Sequence, residues 1–551
     1  MNKFAFHPFC QEGFRLFLAV VLTLSSSRFA LSQNFEVVSI SGETPPETNG
    51  TFEFFSSPTM NNNGRIAFNS NLTGTSGGSS DDVGLYRSTG TGIVTIAREG
   101  EMIPGGDTIV QLFSGHFIND NSQVSFQALL DSGNYAILLN DGAGSFTKIV
   151  EGGTAAPDAN GTFAVFGPPA LNDNGLVAFI GELNDTNDMG GADYQGLFTS
   201  SGGAVTQIAR TASAPPDGNG TYAFLNDPVL NDAGQIGFYA DLGGTSGGGA
   251  DNSALYRSNG TTTTKMVREG DAAPGADGGT FSSFGFPSMN EAGVLAFTAG
   301  IAGAAFNSNW GVFSADGSTV NVVVRRNEPA PDGNGTMGTF DEPIINDSGQ
   351  VGFLGFVSGS AAGNNDNAGV YLHDGTLKQV AREANSADGN GVFASFDDLS
   401  LNDSGQVAFY AELRSTSGGT SDDRAIYFFD NATSDLIEVL REGDSFLGST
   451  VTSLGLLGFD YPSIQIEESS GFGDTGQIGF EFRLADNREG VAIWTRGNPT
   501  PPGNPALRAS LTKKLKKLKL SFKRAKQSGK VAALKKLKTQ IKKVKQQLRT
   551  V

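Results

Sequence analysis

The sequence is poor in the side chains that build most thiol, metal and acid–base sites. It has one cysteine and three histidines in 551 residues, and only 17% of its residues are charged. A disulfide framework and a histidine-rich metal site are therefore excluded. The sequence offers few residues for nucleophilic catalysis that depends on cysteine or on a histidine base.

Acidic residues are missing from the last 45 positions. Residues 507–551 carry 17 basic side chains and no acid, whereas residues 33–506 carry 18 basic and 56 acidic side chains. The formal net charge of −19 is thus the sum of a strongly acidic middle and a strongly basic end. The acidic middle argues against nucleic-acid binding by the main body of the protein.

Residues 1–32 predict a bacterial export signal. Lys3 and Arg15 precede an apolar run over residues 16–24, and Ala30 and Ser32 suit the −3 and −1 positions of a cleavage site. The run is too short to remain as a membrane span. Cys10 would leave with the signal, so the mature chain would hold neither a cysteine nor a transmembrane segment. We expect a secreted, periplasmic or cell-surface protein.

Glycine and phenylalanine, in contrast, are abundant, with 75 and 41 residues. Much of this excess comes from one motif, in which an asparagine is followed three residues later by glycine and seven later by phenylalanine. Its six clear copies are Asn61, Gly64, Phe68; Asn172, Gly175, Phe179; Asn231, Gly234, Phe238; Asn290, Gly293, Phe297; Asn346, Gly349, Phe353; and Asn402, Gly405, Phe409. Degenerate copies end at Phe126 and Phe480.

Each repeat of more than 50 residues divides into four short strands. Asn-Asp-x-Gly is typical of a tight hairpin turn, for which we take both Asn and Gly to supply left-handed conformations. Four strands per repeat predict an all-β protein, an eight-bladed β-propeller over residues 33–496.

The two ends of the repeat region complement one another. Residues 35–40 read as a fourth strand without its first three, and residues 490–496 as a third strand without its fourth. We therefore expect the N-terminal strand to close the ring, which would remove exposed sheet edges. An open solenoid is the alternative.

These residues resemble the NxxGxxAF tandem-repeat family of secreted bacterial proteins, which carry alternative C-terminal anchors. The resemblance covers roughly residues 34–496 and implies export and residence at the cell surface. It implies no activity, because the family is functionally uncharacterised. The tail of this chain departs from relatives that end in a sorting helix, since it has no apolar span.

Two polar residue types recur on loops that the strand order places on one face of the propeller. An aspartate precedes the third strand at Asp81, Asp193, Asp251, Asp366 and Asp422. These oxygen-rich loops could hold calcium, although they lack an Asp-x-Asp-x-Asp-Gly spacing, and the alternative is that each Asp bonds loop amides. Arginine recurs at the end of the fourth strand, where it would pair with neighbouring carboxylates or form a ring that binds an anionic glycan.

We expect residues 497–506 to form a proline-rich linker and residues 507–551 to form a helical tail. Leu511, Leu515, Leu518, Phe522 and Ala525 form a narrow apolar seam, and a second seam starts at Leu534. Lysines surround both seams, and no acid offsets them, so we expect them to bind a polyanion: an anionic envelope polymer, lipid, extracellular DNA or the acidic propeller itself. The lysines include Lys513, Lys514, Lys516, Lys517, Lys519, Lys535, Lys536, Lys542 and Lys543.

The sequence as a whole predicts a monomeric, non-enzymatic binding or scaffold protein. Its basic tail would hold it at the cell envelope, and an unidentified ligand would bind the loop face. A second hypothesis is a polysaccharide-active hydrolase or lyase with carboxylates near the channel, because such pairs leave no local signature. A third is a structural ring stabilised by calcium, with no other cofactor expected. His116 and His373 have no nucleophile nearby in a recognisable motif, and we take them as incidental.

Overall fold

A computed structural model describes residues 34–497, apart from 188–190, 276–277, 306–307, 342, 388 and 457–471. The predicted signal peptide, the helical tail and nearly all of the linker lie outside the described residues. Residues Asn34–Arg496 form one compact unit. This unit is an eight-bladed β-propeller of antiparallel sheets, as the repeat predicts.

The strands of the first four blades follow the repeat. Blade 1 contains β2 (Thr51–Phe55), β3 (Thr59–Met60), β4 (Ile66–Thr73), β5 (Val83–Ser88) and β6 (Ile93–Arg98). Blade 2 contains β7 (Ile109–Ile118), β8 (Val124–Leu130), β9 (Tyr135–Asn140) and β10 (Phe146–Glu151). Blade 3 contains β11 (Thr162–Phe166), β12 (Ala170–Leu171), β13 (Val177–Asn184), β14 (Gln195–Ser200) and β15 (Thr206–Arg210). Blade 4 contains β16 (Thr221–Leu225), β17 (Val229–Leu230), β18 (Ile236–Gly243), β19 (Ser253–Ser258) and β20 (Thr263–Arg268).

The other four blades continue the same order. Blade 5 contains β21 (Thr280–Phe284), β22 (Ser288–Met289), β23 (Leu295–Ala302), β24 (Trp310–Ala315) and β25 (Val320–Arg325). Blade 6 contains β26 (Thr336–Phe340), β27 (Ile344–Ile345), β28 (Val351–Ser358), β29 (Ala368–His373) and β30 (Leu377–Arg382). Blade 7 contains β31 (Val392–Leu401), β32 (Gln406–Arg414), β33 (Arg424–Asp430) and β34 (Asp435–Arg441). Blade 8 contains β35 (Ser445–Phe446), β36 (Ser449–Gly455), β37 (Phe472–Gly473), β38 (Gln477–Leu484), β39 (Glu489–Thr495) and β1 (Asn34–Ile40).

Short 3₁₀ turns occur in the loops that join second to third strands. They span Gly78–Ser80, Gly248–Ala250, Gly363–Asn365 and Gly419–Ser421.

The N-terminal strand closes the propeller. β1 pairs antiparallel with β39, from Asn34 opposite Thr495 to Ile40 opposite Gly490. The outer strand of blade 8 therefore comes from the start of the repeat region and its inner strands from the end. This confirms the predicted closure, and it pairs the edge of β39 that would otherwise be open.

The inner strand of most blades is interrupted where the repeat has a proline. Pro58 separates β2 from β3, and both pieces pair with β4. Proline has no N–H to donate, so it breaks the ladder locally. In blades 2 and 7 the same position holds His116 and Leu399, and there β7 and β31 run through with only register shifts. The sequence predicted one strand here, whereas six blades have two pieces, five of them separated at a proline.

The phenylalanine of the repeat lies in the core of its blade. Phe68 is fully buried, with its ring centroid 5.9 Å from that of Tyr86 and 5.8 Å from that of Phe55. Phe179 packs in the same way against Phe198, at 5.9 Å, in blade 3. Burying one such side chain contributes about 2 kcal/mol, so the repeated aromatic residues account for much of the cohesion within each sheet.

The prediction that both Asn and Gly of the turn adopt left-handed conformations is confirmed for the glycine and wrong for the asparagine. Gly64 and its equivalents adopt positive φ, 70° at Gly64 and 74° at Gly175, which glycine accepts without strain. None of the repeated asparagines has a positive φ. The asparagine is therefore retained for its side chain, as the hydrogen bonds below show.

Candidate functional site

We call the face that carries the second-to-third-strand loops and the blade-linking loops the loop face, and the opposite face the turn face. On the loop face each repeated arginine is held by hydrogen bonds. Arg382, only 1% exposed, donates through Nε to the Asp366 carbonyl at 2.7 Å. Its Nη1 reaches both carboxylate oxygens of Asp332, at 2.8 and 2.9 Å, and its Nη2 donates to the Asn334 carbonyl at 2.9 Å. The guanidinium thus ties the incoming linking loop to the loop before the third strand.

The same arrangement recurs in other blades. The guanidinium donates to the carbonyl of the loop aspartate and to the carbonyl of an asparagine in the linking loop. Among the described residues, it also donates in four blades to a carboxylate two residues before that asparagine. The arginines are Arg98, Arg210, Arg268, Arg382 and Arg441. The hydrogen bonds of these buried arginines stabilise the fold. They therefore favour the interpretation that the arginines pair with carboxylates, and not the alternative that they form a ring that binds an anionic glycan.

The repeated loop aspartates accept hydrogen bonds from their own surroundings. Asp422 accepts from the side chain of Asn390 at 3.0 Å, from the Gly418 N–H at 3.0 Å and from the Thr416 hydroxyl. The hydrogen bond from Thr245 is the largest cause that holds the pKa of Asp251 below its usual range. Asp81, Asp193 and Asp366 accept from the equivalent asparagines in the same way.

Calcium binding by these loops stays a prediction. Loop donors already occupy carboxylate oxygens that a cation would need. Among the described residues, no group of three or more His, Cys, Asp or Glu side chains is placed to hold a metal ion.

On the turn face the repeated asparagines form a chain around the propeller axis. Asn61 donates from Nδ2 to the Asn119 carbonyl of the next blade at 2.7 Å, and its Oδ1 accepts from the Arg65 N–H at 2.8 Å. The link is repeated from blade to blade through Asn119, Asn172, Asn231, Asn290, Asn346 and Asn402. The last donates to Gly473, where blade 8 has glycine in place of asparagine. The conserved turn residue of the repeat therefore joins neighbouring blades.

A second chain on the turn face consists of carboxylates. The residue after each asparagine accepts a hydrogen bond from the main-chain N–H of the preceding blade: Asp120 N–H to Asp173 at 2.6 Å, then Asp173 N–H to Asp232 at 2.6 Å. The members are Asp120, Asp173, Asp232, Glu291, Asp347, Asp403 and Asp474. Sequence reasoning missed this carboxylate ring, although an acid in seven of eight copies was the available signal.

The carboxylates of this ring repel one another. Burial raises the pKa of Asp173 to about 6, with Asp232 and Asp120 adding to the rise. Burial likewise raises the pKa of Asp474, and the carboxylates of Asp403, Asp120 and Asp347 reinforce it. The interactions extend beyond adjacent blades, which places the ring around one axis with its charges facing a shared space.

A cleft of about 430 Å³ opens on the loop face between blades 5 and 6. Arg326 lines it from blade 5, and blade 6 contributes Thr339, Phe356, Ser358 and Asn364 among others. Its volume lies within the range of small-ligand sites. Sequence reasoning missed it because it depends on departures from the repeat and on residues about 30 positions apart.

The two histidines among the described residues have structural surroundings. His116 is fully buried, with Nε2 3.1 Å from the Ala67 carbonyl and Nδ1 3.0 Å from the Ser114 carbonyl. Burial lowers the pKa of His116 and also that of half-buried His373. His116 thereby bridges blades 1 and 2.

The nine tail lysines proposed to bind a polyanion lie outside the described residues. In the part of the chain that the structure does describe, no helix has both the length and the apolar character of a membrane span.

The chain belongs to a protein family described as a family of unknown function (DUF7453), whose model matches residues 33–310 and again residues 262–501. Two overlapping matches agree with an internally repeated protein. A comparison with curated proteins finds no match. The narrower resemblance to the NxxGxxAF family stays a prediction.

Solved structures similar to this chain are distant. A puromycin hydrolase and the acylaminoacyl peptidase of Pyrococcus horikoshii each share 12% identity over 78% of this chain, with a TM-score of 0.39. The chain spans 58% and 57% of those two proteins. An ulvan lyase shares 12% identity, over 71% of this chain and 94% of its own, with a TM-score of 0.33. Since the TM-scores are this low, none of these proteins bears on activity.

Proposed function

We propose that the protein is a secreted, non-enzymatic binding or scaffold protein of the bacterial cell envelope. Its propeller would present a ligand-binding loop face, and its basic tail would hold it on an anionic surface. The observation that carries the proposal is that the recurrent charged side chains of the loop face are engaged in hydrogen bonds within the fold. The loop-face arginines and aspartates bond one another and the loop backbone, so they serve the repeat as structure and leave recognition to residues that differ between blades.

The tail supplies the attachment. Residues 507–551 have 17 basic side chains and no acid, so pairing within the tail cannot relieve their repulsion. A polyanion relieves it by counter-charge, and the attraction between exposed charges weakens as salt screens them. The acidic propeller, with its carboxylate ring on the turn face, is an internal competitor for the same lysines.

Salt-dependent release tests the attachment. We expect full-length protein to leave cells or an immobilised anionic polymer as NaCl rises from about 0.1 to 1 M, because the Debye length falls from about 10 to 3 Å. A variant with glutamine at the nine lysines named above should bind at least tenfold more weakly at low salt. Arginine at the same nine positions provides a control of equal mutational load that keeps the charge. Binding that is indifferent to both salt and the lysine changes would contradict the tether.

A second measurement separates binding from catalysis. Glu481 on β38 is half-buried, and burial raises its pKa to about 7, which is a property of many general acids. Turnover of an acidic or neutral polysaccharide that is abolished by Glu481→Gln, with the fold retained, would replace the non-enzymatic proposal with a glycan-active enzyme. Absence of turnover across such a panel supports the binding role.

A further inference from the structure

Blade 1 departs from the repeat on the turn face. The residue after its turn asparagine is Asn62, where each of the other seven blades carries a member of the carboxylate ring. Three positions further on, blade 1 has Arg65. Five other blades have glutamine there: Gln123, Gln235, Gln350, Gln406 and Gln477. In one turn, an acid of the repeat is thus replaced by an amide, and an amide is replaced by a cation.

The second replacement leaves a cation without a partner in the fold. Gln235, Gln350 and Gln406 each accept a hydrogen bond from the turn asparagine of their own blade, at 3.0, 2.8 and 2.9 Å. Arginine has no acceptor and cannot do this. Among the residues that the structure describes, the Arg65 guanidinium has no hydrogen-bond or ion-pair partner. It lies against Gly90, where a Cβ atom would collide with it.

A second arginine with few good hydrogen bonds lies beside the first. Arg87 of β5 donates to the Ser88 carbonyl and to the Asp141 carbonyl of blade 2, both at 3.4 Å, which is longer than usual for N–H···O bonds. Its Nε is buried and has no partner among the described residues. Burial lowers the pKa of Arg87, and the charge of Arg65 lowers it further, so the two guanidinium groups repel each other.

The corresponding arginine of blade 4 is used differently. Arg257 occupies the position of Arg87 in the strand ladder, but its Nη1 donates to the Gly293 carbonyl of blade 5. Blade 4 also keeps the repeat residues Gln235 and Asp232 in its turn. The pair of arginines in blade 1 is therefore a local feature and not a requirement of the repeat.

We propose that Arg65 and Arg87 bind the phosphate group of a phosphate monoester at the turn face of blade 1. Each guanidinium has five N–H donors in a planar arrangement that matches the oxygens of a phosphate. A phosphate monoester carries a charge of about −1.5 to −2 at pH 7, which balances two arginines. The bound group would offset their mutual repulsion and supply acceptors for the unused donors.

Two carboxylates in this region accept hydrogen bonds from the backbone. Asp120, a member of the carboxylate ring, accepts from the Asn63 N–H at 3.3 Å, and Asp141 accepts from the Ala143 N–H at 2.8 Å. The charge of Asp141 also acts on Arg87, so this carboxylate competes with an incoming anion. The proposed site lies on the opposite face from the loop-face ligand and does not involve the tail, so it goes beyond the proposed function.

The test is titration calorimetry of the full-length protein at about pH 7.5, above the second pKa of phosphate of about 6. The probes are inorganic phosphate, glycerol phosphate, glycerol sulfate and uncharged glycerol. Arg65→Gln restores the residue of five other blades, and Arg87→Leu restores the residue of blades 2 and 6, so both variants should fold. Arg257→Leu removes the same charge at the equivalent position of blade 4 and is the matched control.

We expect the wild type and Arg257→Leu to bind glycerol phosphate with equal affinity and to give no signal with glycerol. Arg65→Gln and Arg87→Leu should each lower the affinity tenfold or more, since bonds to a charged group contribute that much. Asp141→Asn keeps the acceptor for Ala143 and should raise the affinity about twofold, because it removes an exposed competing charge. Inorganic phosphate that binds as tightly as the ester indicates recognition of the phosphate group alone, and weaker binding indicates further contacts with the ester.

Three results would overturn the proposal: equal affinity of Arg65→Gln and the wild type, no binding of either phosphate, or tighter binding of glycerol sulfate. If Arg87→Leu lowers the melting temperature, the comparison of Arg65→Gln with Arg257→Leu decides. The variant with glutamine at the nine tail lysines should keep the affinity for glycerol phosphate. Affinity that falls with those changes would assign phosphate binding to the tail.

Discussion

The two faces of the propeller use their recurrent polar residues in opposite ways. On the turn face, each asparagine and each carboxylate bonds the neighbouring blade, so the repeat forms a continuous chain around the axis. On the loop face, each arginine bonds the loop that enters its own blade and the loop before its own third strand. The turn-face residues join blades to one another, whereas each of these arginines bonds two loops of its own blade.

This difference locates where the protein can change without losing its fold. A substitution in a turn-face link affects two blades and the ring as a whole. A change at one of the loop-face arginines acts first on two loops of its own blade. The following three changes test the contrast, in order of decreasing expected effect on the free energy of unfolding.

Arg382→Ala should have the largest effect. It removes the cation from the Asp332 carboxylate and from two loop carbonyls, and loss of hydrogen bonds to a charged group costs about 3 kcal/mol. Denaturant unfolding measures the loss, and hydrogen exchange should show faster exchange confined to the loops of blade 6. Arg424→Ala removes an arginine whose pair with Glu412 is exposed on both sides, and it should cost less than about 0.5 kcal/mol. Exchange that increases equally in blades 5 and 7 would show that the network is not local.

Asn346→Ala should cost about 2 kcal/mol, because it leaves the buried Asn402 carbonyl and the Gln350 N–H without a side-chain partner. Here we expect hydrogen exchange to rise in blades 6 and 7 together. Asn365→Ala, an exposed asparagine of the same blade, is the control and should leave exchange unchanged. An effect limited to blade 6 would remove the distinction between the two faces.

Asp173→Asn should stabilise the protein by about 1 kcal/mol at pH 7, a value reduced for solvent screening of a half-exposed group. The folded-state pKa of about 6 exceeds the usual value of 3.8, so the folded state binds the proton more tightly than the unfolded chain. Stability from this group is therefore fully present below pH 4 and is lost as pH rises to about 6. The variant keeps the acceptor for Asp120 and should flatten that loss in melting curves between pH 4 and 7. A lower melting temperature at pH 7 would mean that the charge itself stabilises the ring.

Much of the fold could be predicted because the sequence repeats once per blade. Phe68 and its equivalents mark one strand of every blade, and the complementary ends at residues 35–40 and 490–496 predict closure. The split of the inner strand could also have been inferred from Pro58, since a missing N–H interrupts a ladder. The cleft could not be predicted, because no local pattern marks it. Arg326 and Phe356 differ from the repeat, and a comparison of the repeats with one another does not distinguish a functional difference from a random one.

The sequence by itself determined the number of blades, the closing strand, the buried phenylalanines and the separation of charge between the middle and the tail. These follow from periodicity and composition, which are properties of the chain alone. Only the tertiary structure decided what the repeated polar residues do. That Asn61 bonds Asn119 of the next blade, and that Arg326 and Phe356 line one cleft, depends on distances across blades. Those distances are set by how the sheets pack around one axis.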